Sequence, residues 1–253
     1  VELRAASARG RQHRYDGIVR QDAYAFRCDG RHVVAAVADG VSSGRLSHVA
    51  SNIVSQQGCE FVTRKLEGTA PADLEWQTIL EGLAKQVISA GKRRLGESVS
   101  REEVAQQMAT TALFVVLEMR PLEDGGHPVH IVAHGDSSAW ILRAGDERWQ
   151  PQQLVKNADA QIATSATRAL PYLSTAAVPA ALTNVLWPGD VLMIASDGIG
   201  DPLGDGGGAV GAFLADRWRE PPEPLAFAAH VDFARRSHDD DRTALALWPG
   251  RPA

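Results

Sequence analysis

Apolar and polar positions along this chain fall into blocks of two different periods. His32-Val33-Val34-Ala35-Ala36-Val37-Ala38 is a nearly unbroken apolar run with several β-branched residues, the pattern of a buried strand. Asp39-Gly40 closes it. Ahead of it, Ala23-Tyr24-Ala25-Phe26 alternates as a second strand entered from Gln21-Asp22, and Asp29-Gly30 between the two is a hairpin signal. Asp22 and Asp39 are thereby expected side by side at the open ends of a paired hairpin. The period then changes. Val49, Ile53, Val54, Cys59, Phe61, Val62 and Leu66 recur at helical spacing over Ser47 to Leu66. A second helix is expected from Pro71 to Leu95, with Pro71 in its first turn, Arg93 and Arg94 in its last and Gly96 beyond it.

Strand-like runs return at Thr110–Leu117, Val129–His134, Ala139–Arg143, Asp190–Ala195 and Thr243–Trp248, with one further helix expected over Pro224–Arg236. The polar, basic segment Glu2–Arg20 suggests a strand in its first half, but its periodicity is too poor to assign. Gln152–Asn184 has no clear period and reads as a functional insertion or flap. Two helices after a hairpin, followed by a meander of strands apolar on both faces, argue against alternating βαβ units. They point to an α+β fold: a four-layer α-β-β-α sandwich of two antiparallel sheets flanked by helix pairs, in one domain spanning 1–253.

Composition narrows the class. Of 253 residues, 44% are hydrophobic and 23% charged, as in an ordinary globular protein. The net charge of −5 and the lack of a lysine or arginine block leave nucleic-acid binding without an electrostatic footprint. The two cysteines, Cys28 and Cys59, lie far apart and form no CxxC pair, which argues against a disulfide framework or a cysteine metal site and fits a reducing cytoplasm. No apolar run approaches a membrane span and no signal-peptide pattern opens the chain, so no membrane partner is expected.

The candidate chemistry lies in one repeated device. Asp39-Gly40 and Asp197-Gly198 each close an apolar strand, Asp22 and Asp240 each precede one, and Asp136 lies in the turn between two. Singly these are ordinary turn dipeptides, and Gly-Asp-Ser at 135–137 is a good turn in its own right. Gathered at one edge of a sandwich they would repel one another unless a cation neutralised them. An all-oxygen cluster without zinc-like cysteine or histidine spacing favours Mg2+ or Mn2+.

Val-Ala-Asp-Gly at 37–40, Gly-Asp-Ser-Ser-Ala-Trp at 135–140, Ala-Ser-Asp-Gly at 195–198 and Asp-Asp-Arg-Thr at 240–243 occur in the order found in metal-dependent serine/threonine protein phosphatases of type 2C, the PPM family, which this chain resembles. His13, Gly17 and Gln21-Asp22-Ala23 match the opening motif of a compact bacterial branch. The resemblance implies that Asp39 bridges two Mn2+ or Mg2+ ions with the Gly40 carbonyl on one of them. It also implies that Asp197 and Asp240 complete the other shell, that Asp22 holds a bound water, and that Asp136 with Asp197 serves a third, looser ion. Asp39 and Asp197 would position a hydroxide for in-line attack on a phosphoserine or phosphothreonine of a protein targeted by a serine/threonine kinase.

Three departures stand beside the likeness. Gln21 occupies a place where relatives often carry glutamate. Gly17 stands where some have a phosphate-gripping arginine, so Arg14 or Arg20 substitutes, or neither does. Val41 stands where some have a histidine. They motivate a second reading, a weak or silent pseudophosphatase that binds a phosphoprotein. Asp239 and Asp241 read as exposed neighbours of Asp240, and His13 and His134 as structural or surface residues.

Overall fold

The computed structural model describes residues 1–152, 169–173 and 181–250. Its strands are β1 (Glu2–Ala8), β2 (Ala23–Cys28), β3 (His32–Ala38), β4 (Ala112–Glu118), β5 (His127–His134), β6 (Ser138–Leu142), β7 (Gln150–Gln152), β8 (Leu182–Leu186), β9 (Val191–Ala195) and β10 (Arg242–Trp248). The helices are α1 (Arg11–Asp16), α2 (Ser47–Lys65), α3 (Trp76–Leu95), α4 (Arg101–Gln107), α5 (Asp197–Leu203), α6 (Ala209–Arg217) and α7 (Pro224–Val231). The strands form two five-stranded sheets, ordered β2-β3-β4-β5-β8 and β1-β10-β9-β6-β7, and every pairing is antiparallel. The expected sandwich is the observed one.

The period of two along each strand explains the layers. Val33, Ala35 and Val37 of β3 pack with Leu113, Val115, Ile131, Ile141, Ile194 and Leu245 in a core between the sheets. The intervening Val34, Ala36 and Ala38 face the other way, into a second core with Val54 of α2 and Leu80, Leu83 and Val87 of α3. Trp140, Met193 and Ala246 of the second sheet meet Leu214, Trp218 and Phe227 in a third core. There the Trp218 and Phe227 rings stack with centroids 4.4 Å apart. A strand buried on both faces must be apolar throughout, which is why β3, β4 and β9 read as unbroken runs. Small residues on α2 let it lie close to the sheet: a side chain at Gly58 would run into the Phe114 ring.

Several boundaries differ from the sequence expectation. Pro71 begins a separate 3-10 turn (Pro71–Asp73), and α3 starts only at Trp76, because Leu74 adopts an extended ψ of 124°. Helix α7 ends at Val231, so Arg235 and Arg236 lie beyond it. Thr110 and Thr111 precede β4, where Thr110 bridges Gly40 and Leu170. Of the proposed flap over 152–184, residues 153–168 and 174–180 lie outside the described residues, while its end forms β8 on the edge of the first sheet. The unassigned N-terminal segment forms β1 and α1. Among the described residues no helix is long and apolar enough to cross a membrane.

Candidate metal centre

The β2–β3 register pairs Ala23 with Ala38, which sets Asp22 and Asp39 opposite each other one step further on. Asp197 reaches them from the second sheet as the first residue of α5, directly after β9. Ser196 joins the two sheets here. Its hydroxyl donates to Asp22 Oδ2 at 2.7 Å and accepts from the Thr243 N–H at 3.0 Å, and its own N–H donates to the Thr243 carbonyl at 3.0 Å. The backbone of Asp39 is equally fixed. Its N–H donates to Thr111 Oγ1 at 2.9 Å, and its carbonyl accepts from Thr110 Oγ1 at 2.9 Å and from the Thr111 N–H at 2.8 Å. Gly40 is buried where a Cβ would press on the Gln21 carbonyl at 2.8 Å and on Ser47 at 3.0 Å. Only glycine brings the backbone of that turn so close to its neighbours.

The Asp39 carboxyl interacts with both Asp22 and Asp197. Burial, then the charges of Asp22 and Asp197, hold its pKa well above the usual carboxylate range. Burial likewise pushes Asp22 up to about 7, with Asp241 adding repulsion while hydrogen bonds from Ser196 and Thr243 oppose the rise. Asp197 is pushed up to about 6, mainly by burial, with Asp240, Asp136 and Asp201 contributing repulsion. None of the groups that most affect these three carboxyls is basic. Asp197 Oδ1 is moreover buried without a hydrogen-bond partner. Crowded, desolvated carboxylates with an orphan oxygen are a donor set that fits hard divalent ions.

The remaining candidates lie around this trio. Asp136 and Asp240 are exposed, and both act on Asp197 through their charge; Asp240 Oδ1 accepts the Asp241 N–H at 2.8 Å. Arg20 borders the cluster, with its guanidinium on the Asp22 carbonyl at 3.0 Å and on the Ser7 carbonyl at 3.1 Å. Arg14 turns instead to Asp232, 2.8 Å away. Gln21 is buried and holds the turn after Gly40, its Nε2 donating to the Gly44 carbonyl at 3.0 Å. His134 contacts the Tyr172 carbonyl at 2.9 Å.

Asp241 departs most from expectation. It is 2% exposed rather than a solvated neighbour of Asp240, because it is drawn inward by backbone N–H groups of the N-terminal segment. Sequence reasoning also passed over Ser196, Thr243 and Asp201. Ser196 and Thr243 lie within the quoted motifs, next to aspartates that drew the attention.

A fold of two facing antiparallel sheets with helices outside, carrying an aspartate cluster at the strand ends, defines the class of metal-dependent phosphatases. The sequence matches the family model described as protein phosphatase 2C over residues 9–225. The chain belongs to that family of serine/threonine phosphatases, and is an enzyme of the type 2C class. The matched segment stops before Asp240. No curated protein matches the sequence significantly. Among solved structures, the PPM Ser-Thr phosphatase MsPP from Mycobacterium smegmatis, in complex with cacodylate, is 19% identical over 99% of both chains with a TM-score of 0.56. The catalytic domain of PstP, solved with two manganese ions, is 18% identical over 97% of this chain and 96% of its own, with a TM-score of 0.56. RsbX, solved with magnesium, is 13% identical over 96% of this chain and 92% of its own, with a TM-score of 0.53. At these identities the likeness is one of fold.

Proposed function

We propose that this phosphatase hydrolyses phosphoserine and phosphothreonine on a protein substrate, using two Mn2+ or Mg2+ ions held by Asp39, the Gly40 carbonyl, Asp197 and Asp240. Asp22 closes the same cluster, and Asp136 is available to a third, looser ion. When bound, such ions supply an acidified water as nucleophile and neutralise charge on the phosphoryl group. The single observation that carries the reading is the mutual interaction of the buried Asp22, Asp39 and Asp197, none of whose pKa values is set mainly by a basic group among the described residues. The manganese ions in the PstP structure and the magnesium in the RsbX structure support the choice of ion.

The chain's own contribution is order. Thr110 and Thr111 lock the Asp39 backbone, and Ser196 holds the Asp22 carboxyl across the gap between the sheets. The ligand oxygens are thereby arranged before any ion arrives, which is the condition for a firm site. For the substrate phosphate, Arg20 is better placed than Arg14, since it lies against Asp22 while Arg14 is engaged with Asp232. We read residues 1–253 as one catalytic domain acting in the cytoplasm on a phosphoprotein produced by a serine/threonine kinase.

The test is release of phosphate from an aryl phosphate with Mn2+ present. Wild type turns over, and Asp39→Asn and Asp197→Asn each abolish it; wild-type rates in both variants contradict the assignment. Mn2+ binding with no turnover in the wild type favours the pseudophosphatase reading, for which the neutral Gln21 is the motivating feature.

A further inference from the structure

We propose that Asp241, paired with His13, is a positioning residue that fixes the aspartates of the two sheets relative to one another without itself holding a metal. The proposal rests on the reading of the cluster as a metal centre.

The Asp241 carboxylate is buried and its two oxygens serve different partners. Oδ1 accepts the Gly10 N–H at 2.6 Å, and Oδ2 accepts the Gln21 N–H at 2.6 Å. One carboxylate thus closes both ends of the segment 10–21, which contains α1. Each end leads to a candidate ligand. Gln21 directly precedes Asp22, and Gly10 packs so tightly on the Asp239–Asp240 backbone that no side chain fits there. The main chain of Asp241 extends the same arrangement. Its N–H orients Asp240 Oδ1 at 2.8 Å, and its carbonyl occupies the space where a Cβ of Gly198 would lie, next to Asp197. Asp22 comes from the first sheet, Asp197 and Asp240 from the second. Asp241 is the group that touches the chain beside all three.

A buried charge needs compensation. His13 is 6% exposed, and its Nδ1 lies 3.0 Å from Asp241 Oδ1, close enough to pair with it though not aligned as a hydrogen bond. The donor atoms of His13, Asp240 and Asp241 all lie within 4.8 Å of one another, a grouping that by composition alone would suit a cation. The hydrogen bonds favour the positioning role instead, because both Asp241 oxygens accept short bonds from backbone N–H groups. They also explain why the residue must be a carboxylate. An asparagine offers one acceptor, so its amide nitrogen would face the N–H of either Gly10 or Gln21, and one bond would become a donor–donor contact.

The experiment measures Mn2+ affinity by titration calorimetry and hydrogen exchange at the Gly10 and Gln21 amides in the metal-free protein. Asp241→Asn, though isosteric, is expected to weaken Mn2+ binding by about tenfold or more, the usual effect of losing a group that orients metal ligands. At least one of the two amides should exchange faster. His13→Gln retains a donor toward Oδ1 and should bind Mn2+ much as the wild type does. His13→Leu should weaken binding in the direction of Asp241→Asn, and this pair decides the matter if Asp241→Asn does not fold. Raised Mn2+ should restore aryl phosphatase activity in Asp241→Asn, which a loss of folded protein would not allow. Wild-type Mn2+ affinity in folded Asp241→Asn, unchanged amide exchange, or equal affinities in the two His13 variants would overturn the proposal. Failure of the metal-centre reading looks different: no Mn2+ binding by the wild type, or binding retained in Asp39→Asn. The clamp's positioning role falls with it.

Discussion

Replacing Asp39 by asparagine removes the central charge of a cluster in which burial and two neighbouring carboxylates already disfavour ionisation. In the metal-free protein this should stabilise the fold even as it abolishes activity. Asp22 sets the scale. Its carboxyl moves from 3.8 to about 7, and at ~1.4 kcal/mol per pKa unit its ionisation above that pH costs the folded state about 4 kcal/mol. Asp39 carries a cost of the same sign, from burial and then from the Asp22 and Asp197 charges, and removing its charge is expected to gain about 1–3 kcal/mol. For a chain of this size that corresponds to roughly 2–10 °C in Tm. The pH dependence follows from proton counting. A carboxyl with a raised pKa leaves the folded state holding more protons than the unfolded one, so stability falls as pH rises through the window from 3.8 to about 7. The difference between Asp39→Asn and wild type should therefore be near zero at about pH 4 and grow as the pH rises above the ordinary carboxylate range. Thermal melts in a chelating buffer across this range provide the assay. Saturating Mn2+ should then reverse the order, raising the wild-type Tm and leaving the variant's almost unchanged. An Asp39→Asn protein less stable than wild type in chelator at high pH, or a gain independent of pH, refutes the reasoning.

Gly198→Ala would drive a Cβ into the Asp241 carbonyl, which is backbone and cannot turn away, so it should lower both Tm and Mn2+ affinity; a variant unchanged in both by melting and calorimetry contradicts the packing at that turn. Cys28 is exposed, whereas Cys59 is buried with its thiol pushed up to about 12 by burial. A thiol reagent should accordingly titrate one cysteine in the native protein and two after unfolding. Two reactive cysteines in the native state contradict the α2 packing.

The layers and the hairpin that pairs Asp22 with Asp39 could be read from the sequence because both depend on local pattern. A strand buried on two faces is apolar throughout, and Asp29-Gly30 specifies the turn that aligns the two carboxylates. Helices α2 and α3 were legible for the same reason. Helix α1 was not, since its six residues are all exposed save His13 and carry no amphipathic period. Helix α4 is also short and held by its Ser100–Glu103 capping box, a signal that the apolar periods overlooked. Strand β8 follows a segment without period and has only Leu186 fully buried, because it lies on a sheet edge. In the site, the aspartates stood out by their place after apolar strands. Asp241 did not, since its burial depends on two backbone N–H groups more than two hundred positions earlier in the chain, which no local pattern records.

Soaking crystals in Mn2+ and locating the ions by anomalous scattering tests the central claim most directly. Two peaks are predicted at the cluster, with Asp39 in the shell of both and Asp197 and Asp240 on one of them. No peak beside Asp39, or a single ion seated among His13, Asp240 and Asp241 instead, would contradict the account.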